Sequence, residues 1–315
     1  MEHRQWAGVF PAITTPFHGD LSVDHQALAR HVEWLVDCGC TGIVPLGSLG
    51  ESATLTFDEK VQILETCART LDGRVPLVAG IAGLSTAESV ALARRAAQAG
   101  CDALMALPAY VHKGDWRETR THFSAILAAT PLPCMLYNNP IAYGVDVTAE
   151  QLAELAARHD NLHAVKDSSG DVRRVTAVLE RLGDRLTVFA GLDDTILESL
   201  AMGARGWIAG LVNALPDESV RLVDLARSGP AGWREARALY DWFLPLLRLD
   251  TVPNFVQLIK LVQSEVGRGS TAVRPPRLEL EGEELRAARA LIRERLAARP
   301  HPARVARPGA AATVA

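Results

Sequence analysis

The sequence predicts an α/β fold, a (β/α)8 TIM barrel followed by a C-terminal helical extension. Eight short apolar runs alternate with amphipathic helical patterns before residue 228, and a closed parallel barrel contains eight strand–helix units. No G-x-G-x-x-G motif opens any of the helices, which weighs against a doubly wound sheet. Only helical patterns follow residue 228, as expected for an appendage that packs on the barrel.

The predicted elements follow one another in a regular order. The apolar runs that predict strands are residues 9–14, 42–46, 76–79, 103–107, 134–137, 162–166, 186–189 and 206–209. Among the helical stretches between them are residues 25–37, 58–71, 87–99 and 148–158. Asp24 is expected to cap the first of these helices, and Thr56 with Glu59 to form a capping box on the second. Ser85 with Glu88 predicts a capping box on the third.

The chain divides into three parts by pattern. Residues 1–228 are predicted to form the catalytic barrel. Residues 229–298 contain three helical patterns, at 232–247, 253–266 and 281–298, and are predicted to form the helical domain. The last stretch, 299–315, reads RPHPARVARPGAAATVA. It holds too few large apolar residues to bury, so we expect a disordered tail.

Composition excludes several classes of function. The chain carries 33 Lys and Arg against 37 Asp and Glu, and it has no dense basic cluster. We therefore expect no nucleic-acid partner and no anionic membrane surface. Its 5 cysteines form no C-x-x-C pair, which argues against a disulfide framework or a structural zinc site. No signal peptide and no apolar stretch of about 18 residues is found, so a cytoplasmic protein is expected.

The strand ends carry the residues that could perform chemistry, since βα loops hold the active sites of such barrels. Lys166 closes the sixth apolar run. A lysine at a strand tip is often a snorkelling surface charge. Inside a barrel mouth, however, desolvation would lower its pKa towards about 7–8 and give a neutral amine that can attack a carbonyl.

Two further features could assist such an amine. Tyr137 ends the preceding strand, where its phenol could donate and accept protons; alternatively it is an aromatic of the barrel rim. The turn at residues 47–51 follows a strand and precedes a helix, so its N–H groups and the Ser48 hydroxyl could hold a carboxylate. Its glycines could also serve only to make the turn. His112 and His163 have no partner at metal-ligand spacing, and no metal site is expected.

Six motifs occur in order along the chain: TTPF at 14–17, GSLGE at 47–51, PAY at 108–110, YNNP at 137–140, VKDSSGD at 165–171 and GLDD at 191–194. Together they resemble the dihydrodipicolinate synthase/N-acetylneuraminate lyase family of Schiff-base aldolases. The similarity runs from about Gly8 to about Arg295. It implies a (β/α)8 barrel with a C-terminal helical domain, a homotetramer or dimer, and chemistry without a metal or organic cofactor.

The resemblance also implies roles for individual residues. Lys166 matches the lysine that forms a Schiff base with a 2-keto acid, and Tyr137 matches the tyrosine that shuttles protons. Ser48 matches a hydroxyl residue that binds the carboxylate and links the proton-relay groups. Tyr110 matches a tyrosine that in many members reaches into a neighbouring subunit's site. The positions that match the substrate pocket are Gly47, Ser48, Leu49, Gly191 and Ile208.

Two departures from the family pattern bear on the substrate. Leu49 replaces the second hydroxyl residue of the GTTGE turn, which makes the pocket more apolar. Ala142 stands where synthase members carry the arginine that binds their aldehyde substrate, and no arginine replaces it locally. Both departures argue against dihydrodipicolinate synthase. Sialic-acid lyase is also disfavoured, because residues for a polyol tail are not evident.

The substrate expected from the sequence is therefore a small 2-keto acid or its cyclic imine equivalent. GSLGESATLT, YNNPIAYGVDVT and VRPPRL resemble the family branch of hydroxyproline breakdown, which points to 1-pyrroline-4-hydroxy-2-carboxylate deaminase. A 2-keto-3-deoxy sugar-acid dehydratase or aldolase is the alternative within the enzyme class. A barrel that only senses a keto acid is the alternative outside it, although a sensor has no need of a nucleophile beside an acid.

Overall fold

A computed structural model describes residues 1–109 and 111–300, apart from the side chain of His3. Within this part of the chain, seven parallel strands form one sheet in the order β1-β7-β6-β5-β4-β3-β2. The strands are β1 (Gly8–Pro11), β2 (Val78–Ile81), β3 (Ala103–Ala106), β4 (Cys134–Asn138), β5 (Leu162–Asp167), β6 (Thr187–Ala190) and β7 (Gly206–Ala209). Nearly all their residues are buried, as expected for strands with both faces covered.

The predicted second strand closes the sheet into a barrel without forming a regular strand. It makes only two isolated bridges, Ala12 with Val44 and Ile43 with Leu77. Val44 N donates to Pro11 O at 2.9 Å, so this segment pairs with β1. Pro45 then lacks an N–H and Leu46 adopts φ 64°, which ends the ladder. The prediction of a (β/α)8 barrel is confirmed, with this segment in the place of the eighth strand.

Helices connect the strands of the barrel. They are α1 (His25–Asp37), α2 (Phe57–Leu71), α3 (Thr86–Gln98), α4 (Trp116–Leu127), α5 (Pro140–Tyr143), α6 (Ala149–Ala156), α7 (Arg173–Leu182), α8 (Ile196–Ala201) and α9 (Pro216–Arg227). Asp24 caps α1 and Thr56 with Glu59 forms the capping box on α2, as predicted. Ser85 caps α3, but the predicted box is wrong: the Glu88 carboxylate accepts from Leu84 N at 3.1 Å instead.

The C-terminal extension consists of α10 (Pro230–Leu247), α11 (Phe255–Glu265) and α12 (Gly282–Ala297), three helices in the stretch where the sequence has three helical patterns. Arg299, the first residue of the predicted tail, donates from Nε to Glu218 Oε1 at 2.5 Å; residues 301–315 lie outside the described residues. None of the described helices has both the length and the apolar character needed to cross a bilayer.

Candidate functional site

A cavity of about 460 Å³ opens at the carboxyl ends of the strands. Most of the predicted site residues line it, namely Gly47, Ser48, Leu49, Tyr137, Lys166, Gly191 and Ile208. Ala142 lines it as well. Tyr110, the remaining predicted residue, lies outside the described residues. A volume in the range of small-ligand sites, at the end of the barrel where such sites occur, makes this cavity the candidate active site.

Lys166 lies near the end of β5, directly opposite Tyr137 on β4 in the sheet register. Its side chain is 6% exposed, and Nζ lies 4.1 Å from the centroid of the Tyr137 ring. Gly191, at the end of β6, makes room for this side chain, because a Cβ there would lie 2.9 Å from Lys166 Cε. The amine is therefore held inside the mouth of the barrel, against an aromatic face.

The Tyr137 hydroxyl is oriented by its neighbours. Asn139 Nδ2 donates to the Tyr137 hydroxyl oxygen at 2.9 Å. The O–H of Tyr137 can therefore donate to a different group. The ring of Tyr143 stands perpendicular to that of Tyr137, with centroids 5.8 Å apart. A phenol with one accepted hydrogen bond and a nearby amine can both give and take a proton.

Tyr143 is a residue of the cavity that the sequence analysis missed. Its hydroxyl is hydrogen-bonded to Ser48 Oγ. It reaches the cavity because the short helix α5, capped by Asn139, carries it back from the end of β4. The motif YNNPIAYG contains Tyr143, but the sequence alone does not show that the chain returns this ring to the cavity. Tyr143 thus brings a hydroxyl to the turn in which Leu49 stands in place of a hydroxyl residue.

The turn at residues 47–51 is built to accept an anion. The N–H groups of its first four residues donate to no acceptor within the described chain. Leu46 and Glu51, which flank them, both adopt left-handed conformations, with φ 64° and 57°. Gly50 has to be glycine, since a Cβ there would lie 2.9 Å from Ile13 O. Successive free N–H groups in such a turn form a concave anion site.

Glu51 itself does not line the cavity and connects the extension to the barrel. It is fully buried, and its Oε1 accepts from Lys260 Nζ on α11 at 2.5 Å. Its Oε2 accepts from Arg274 N at 3.0 Å. Burial lowers the pKa of Lys260, while the Glu51 charge acts against that shift. These contacts agree with the interpretation of Glu51 as a carboxylate that ties loops together.

Two carboxyl groups lie close to Lys166. Asp193 is fully buried and accepts from Trp207 Nε1 at 3.0 Å and Leu211 N at 2.8 Å. Asp250, which follows α10, lines the cavity; its Oδ1 is shielded from solvent and has no hydrogen-bond partner among the described residues. Burial raises the pKa of both carboxyls, and the Asp193 charge raises that of Asp250 further. Burial thus favours the protonated form of the Asp250 carboxyl, while the Lys166 charge acts against this shift of its pKa.

Arg277 also lines the cavity, from the segment between α11 and α12. Its Nη1 lies 3.9 Å from Glu51 Oε2, which is too long for a hydrogen bond. The sequence analysis missed both Arg277 and Asp250, because nothing near them in the chain predicts which strand ends they reach. No group of three or more His, Cys, Asp or Glu among the described residues lies in an arrangement that could hold a metal ion.

Comparison with known proteins agrees with this geometry. Residues 5–295 match the sequence model of the Dihydrodipicolinate synthetase family. One relative is the 4-hydroxy-tetrahydrodipicolinate synthase of Haloarcula marismortui, 35% identical over 279 residues, which covers 88% of this chain and 90% of that protein. The synthase of Methanoculleus marisnigri is also 35% identical, over 87% of this chain and 94% of its own length.

Solved structures match over almost the whole described chain. The chloride-inhibited dihydrodipicolinate synthase of Acinetobacter baumannii, complexed with pyruvate, superposes with a TM-score of 0.87 at 29% identity. The match covers 92% of this chain and 99% of that one. A prophage protein of the same family from E. coli K12, also in complex with pyruvate, gives a TM-score of 0.87 at 27% identity, with the same coverage.

Proposed function

Because the chain belongs to the dihydrodipicolinate synthetase family, whose members are Schiff-base lyases, we propose that it deaminates 1-pyrroline-4-hydroxy-2-carboxylate to 2-oxoglutarate semialdehyde. The observation that carries the proposal is the buried amine of Lys166 against the Tyr137 ring, in a cavity with a free anion-binding turn. The substrate has one carboxylate, which the turn can hold. Its compact ring suits the apolar wall formed by Leu49 and Ile208.

The reaction begins at the cyclic imine of the substrate. The Lys166 amine attacks C2; the bond between C2 and the ring nitrogen breaks, and that nitrogen leaves as a primary amine on C5. Tyr137 moves the protons that this exchange requires. The substrate is now bound to Lys166 as a protonated imine, which withdraws electrons from C3 and makes its protons acidic.

Elimination and hydrolysis complete the reaction. Loss of a C3 proton gives an enamine, whose electron pair expels the C4 hydroxyl as water, with a proton supplied by the Asp250 carboxyl, whose protonated form burial favours. A proton shift from C5 to C3 turns the C5 amine into an enamine and then an imine, and its hydrolysis releases ammonia. Hydrolysis at Lys166 releases the semialdehyde. One water is lost and two are taken up, so the balance is one water consumed.

Dihydrodipicolinate synthase is the second candidate, and two observations favour it. Relatives at 35% identity carry that name. Arg277 also brings to the cavity a guanidinium, the group that is missing at Ala142. Against it, the arginine is missing from its usual place after the YNNP motif. The 2-keto-3-deoxy sugar-acid dehydratase or aldolase uses the same imine and is the third candidate. A sensor that binds a keto acid without turnover is the non-enzymatic alternative.

The test is direct incubation of the purified protein with 1-pyrroline-4-hydroxy-2-carboxylate. Ammonia and 2-oxoglutarate semialdehyde should appear in equal amounts, the latter measured with a coupled aldehyde dehydrogenase. Condensation of pyruvate with aspartate semialdehyde should be negligible beside this turnover. Background ammonia, together with efficient dehydration or cleavage of a 2-keto-3-deoxy sugar acid, would instead establish the third candidate.

The proposed assembly is a homotetramer in which Tyr110 of one subunit completes the site of another. Light scattering of the purified protein should give the mass of four chains. Tyr110→Phe should lower turnover while leaving that mass unchanged. A monomeric protein with full activity would contradict this part of the proposal.

A further inference from the structure

The guanidinium of Arg277 is an unusual group in this cavity. A guanidinium carries five N–H donors, but that of Arg277 donates no hydrogen bond to any of the described residues. Its side chain is 26% exposed, so it is partly withdrawn from water. Within the described part of the chain, Glu51 is the one carboxylate within 4.0 Å of the guanidinium, and the two oxygens of Glu51 already accept hydrogen bonds from Lys260 and Arg274. The donors of Arg277 are therefore available to a ligand.

Charged groups of both signs surround Arg277. Its ion-paired cluster contains three cations, Lys260, Arg274 and Arg277, and two carboxylates, Glu51 and Glu59. Arg277 also lines a neighbouring pocket together with Glu279, Glu281 and Glu284, none of which lines the cavity. Asp250 does line the cavity, and burial raises the pKa of that carboxyl. Among the described residues, no carboxylate oxygen lies within hydrogen-bonding distance of the Arg277 guanidinium.

The backbone holds Arg277 in place. The neighbouring Arg274 pairs with Glu59 at 2.5 Å and donates to Leu21 O at 2.7 Å. Arg277 N in turn donates to Arg274 O at 3.1 Å. The segment is thus attached to the barrel through Arg274 and closed by the backbone hydrogen bond between Arg277 and Arg274. Because its backbone is already ordered, binding of a ligand to the guanidinium costs little conformational entropy of this segment.

We propose that Arg277 forms a second anion subsite in this cavity, which binds the distal carboxylate of dianionic 2-keto acids. The free N–H groups of the 47–51 turn hold the carboxylate next to the keto group, and Arg277 holds the other. This inference goes beyond the proposed function, because the hydroxypyrroline carboxylate has only one carboxylate. It makes 2-oxoglutarate a better ligand of the cavity than a keto acid of the same length without the distal charge.

The experiment compares three keto acids by calorimetry on the full-length protein. Pyruvate has one carboxylate, 2-oxoglutarate has two, and 2-oxovalerate has the five carbons of 2-oxoglutarate but only one carboxylate. The wild-type protein should bind 2-oxoglutarate about 10- to 100-fold more tightly than 2-oxovalerate, the range of a charged hydrogen-bonded pair. Borohydride trapping and mass spectrometry should place each bound acid on Lys166.

Substitution of Arg277 then measures its contribution to the binding of the distal carboxylate. Arg277→Gln should weaken 2-oxoglutarate binding about 10- to 100-fold and leave pyruvate and 2-oxovalerate unchanged, and Arg277→Lys should fall between. Arg286→Gln, at an exposed arginine on α12, is the matched control and should change nothing. The proposal is overturned if wild-type protein does not prefer 2-oxoglutarate over 2-oxovalerate, a result that needs no variant. It is also overturned if Arg277→Gln weakens all three acids alike, since the arginine would then serve the shared carboxylate or the fold.

These outcomes are separate from those of the proposed function. Absence of any trapped adduct on Lys166 would remove the Schiff-base chemistry, while calorimetry would still report whether the second carboxylate is recognised. An adduct with pyruvate but no preference for 2-oxoglutarate would remove only the second subsite.

Discussion

The barrel strands and the C-terminal extension contribute different kinds of residues to one cavity. Lys166 and Tyr137 come from adjacent strands, paired directly in register, and Gly191 follows the next strand. Asp250 and Arg277 come from the extension and reach the same cavity from outside the sheet. The strand residues supply the amine and the phenol that we propose as nucleophile and proton carrier, and the extension residues bring a carboxyl and a guanidinium to the same cavity. In the proposed function, the barrel supplies the reacting groups, and the extension supplies groups that select the substrate.

The largest expected effect concerns Lys166, which reaches the cavity from a barrel strand. Lys166→Ala should abolish the borohydride adduct and lower turnover by about 10⁴-fold or more, because no other amine faces the cavity within the described residues. Lys166→Arg should fail equally, because a guanidinium stays protonated. Lys113→Ala, at an exposed lysine, is the matched control. A stable adduct elsewhere, or full activity in Lys166→Ala, would contradict the Schiff-base mechanism.

Tyr137→Phe tests the second strand residue. The substitution keeps the ring against Lys166 Nζ but removes the proton carrier, so kcat should fall by about 10²–10⁴ with a smaller change in KM. Tyr240→Phe, which removes a hydroxyl bonded to Asp194 O outside the cavity, should leave kcat close to wild type. A loss confined to KM would mean that Tyr137 only positions the substrate.

The strand side of the site could be predicted from the sequence for a physical reason. In a parallel barrel every strand ends at the same face, so an apolar run followed by a functional residue already places that residue at the mouth. Lys166 and Tyr137 were found in this way. The 42–46 segment was predicted as a strand, although it pairs only through isolated bridges, because the short apolar run before Pro45 has the pattern of one.

The extension side could not be predicted, because its residues reach the cavity by tertiary packing alone. Arg277 is fixed by contacts of Arg274 with Glu59 and Leu21, partners that lie far away in sequence and share no motif with it. Asp250 follows α10. The apolar face of this helix predicts that the helix is buried, but it does not predict which strand end Asp250 approaches. The prediction that no arginine replaces Ala142 locally concerns the chain around the YNNP motif, whereas Arg277 lines the cavity from the extension.

The attachment of the extension depends on a buried ion pair. Lys260→Met would leave the Glu51 carboxylate buried without its closest cation, so the free energy of unfolding should fall by about 3–5 kcal/mol. The double variant Glu51→Gln/Lys260→Met should recover most of that loss, because it removes the uncompensated charge. Urea unfolding of the single and double variants measures both effects. Equal destabilisation in the two would show that packing of the lysine stem, rather than charge, holds the extension.

The smallest predicted effect concerns Asp250 and has opposite signs for stability and activity. The pKa of Asp250 is raised by burial and by the Asp193 charge, and that of Asp193 is raised to about 6 by burial. Their protonated forms therefore favour the folded state. This stability is complete below the unfolded pKa of about 3.8–3.9 and is lost as pH rises through the folded pKa values.

Asp250→Asn removes one of these titrations while keeping the shape of the side chain. At pH 8 the variant should be more stable to urea than wild type, and this difference should shrink as the pH falls towards the unfolded pKa of about 3.8–3.9. Turnover should nevertheless fall, because an amide cannot release a proton to the departing hydroxyl. Asp241→Asn, at an exposed and ion-paired aspartate, is the matched control and should show neither change. If Asp250→Asn gains stability at pH 8 without losing turnover, the extension carries no acid for this chemistry, and its part in the cavity reduces to the cation of Arg277.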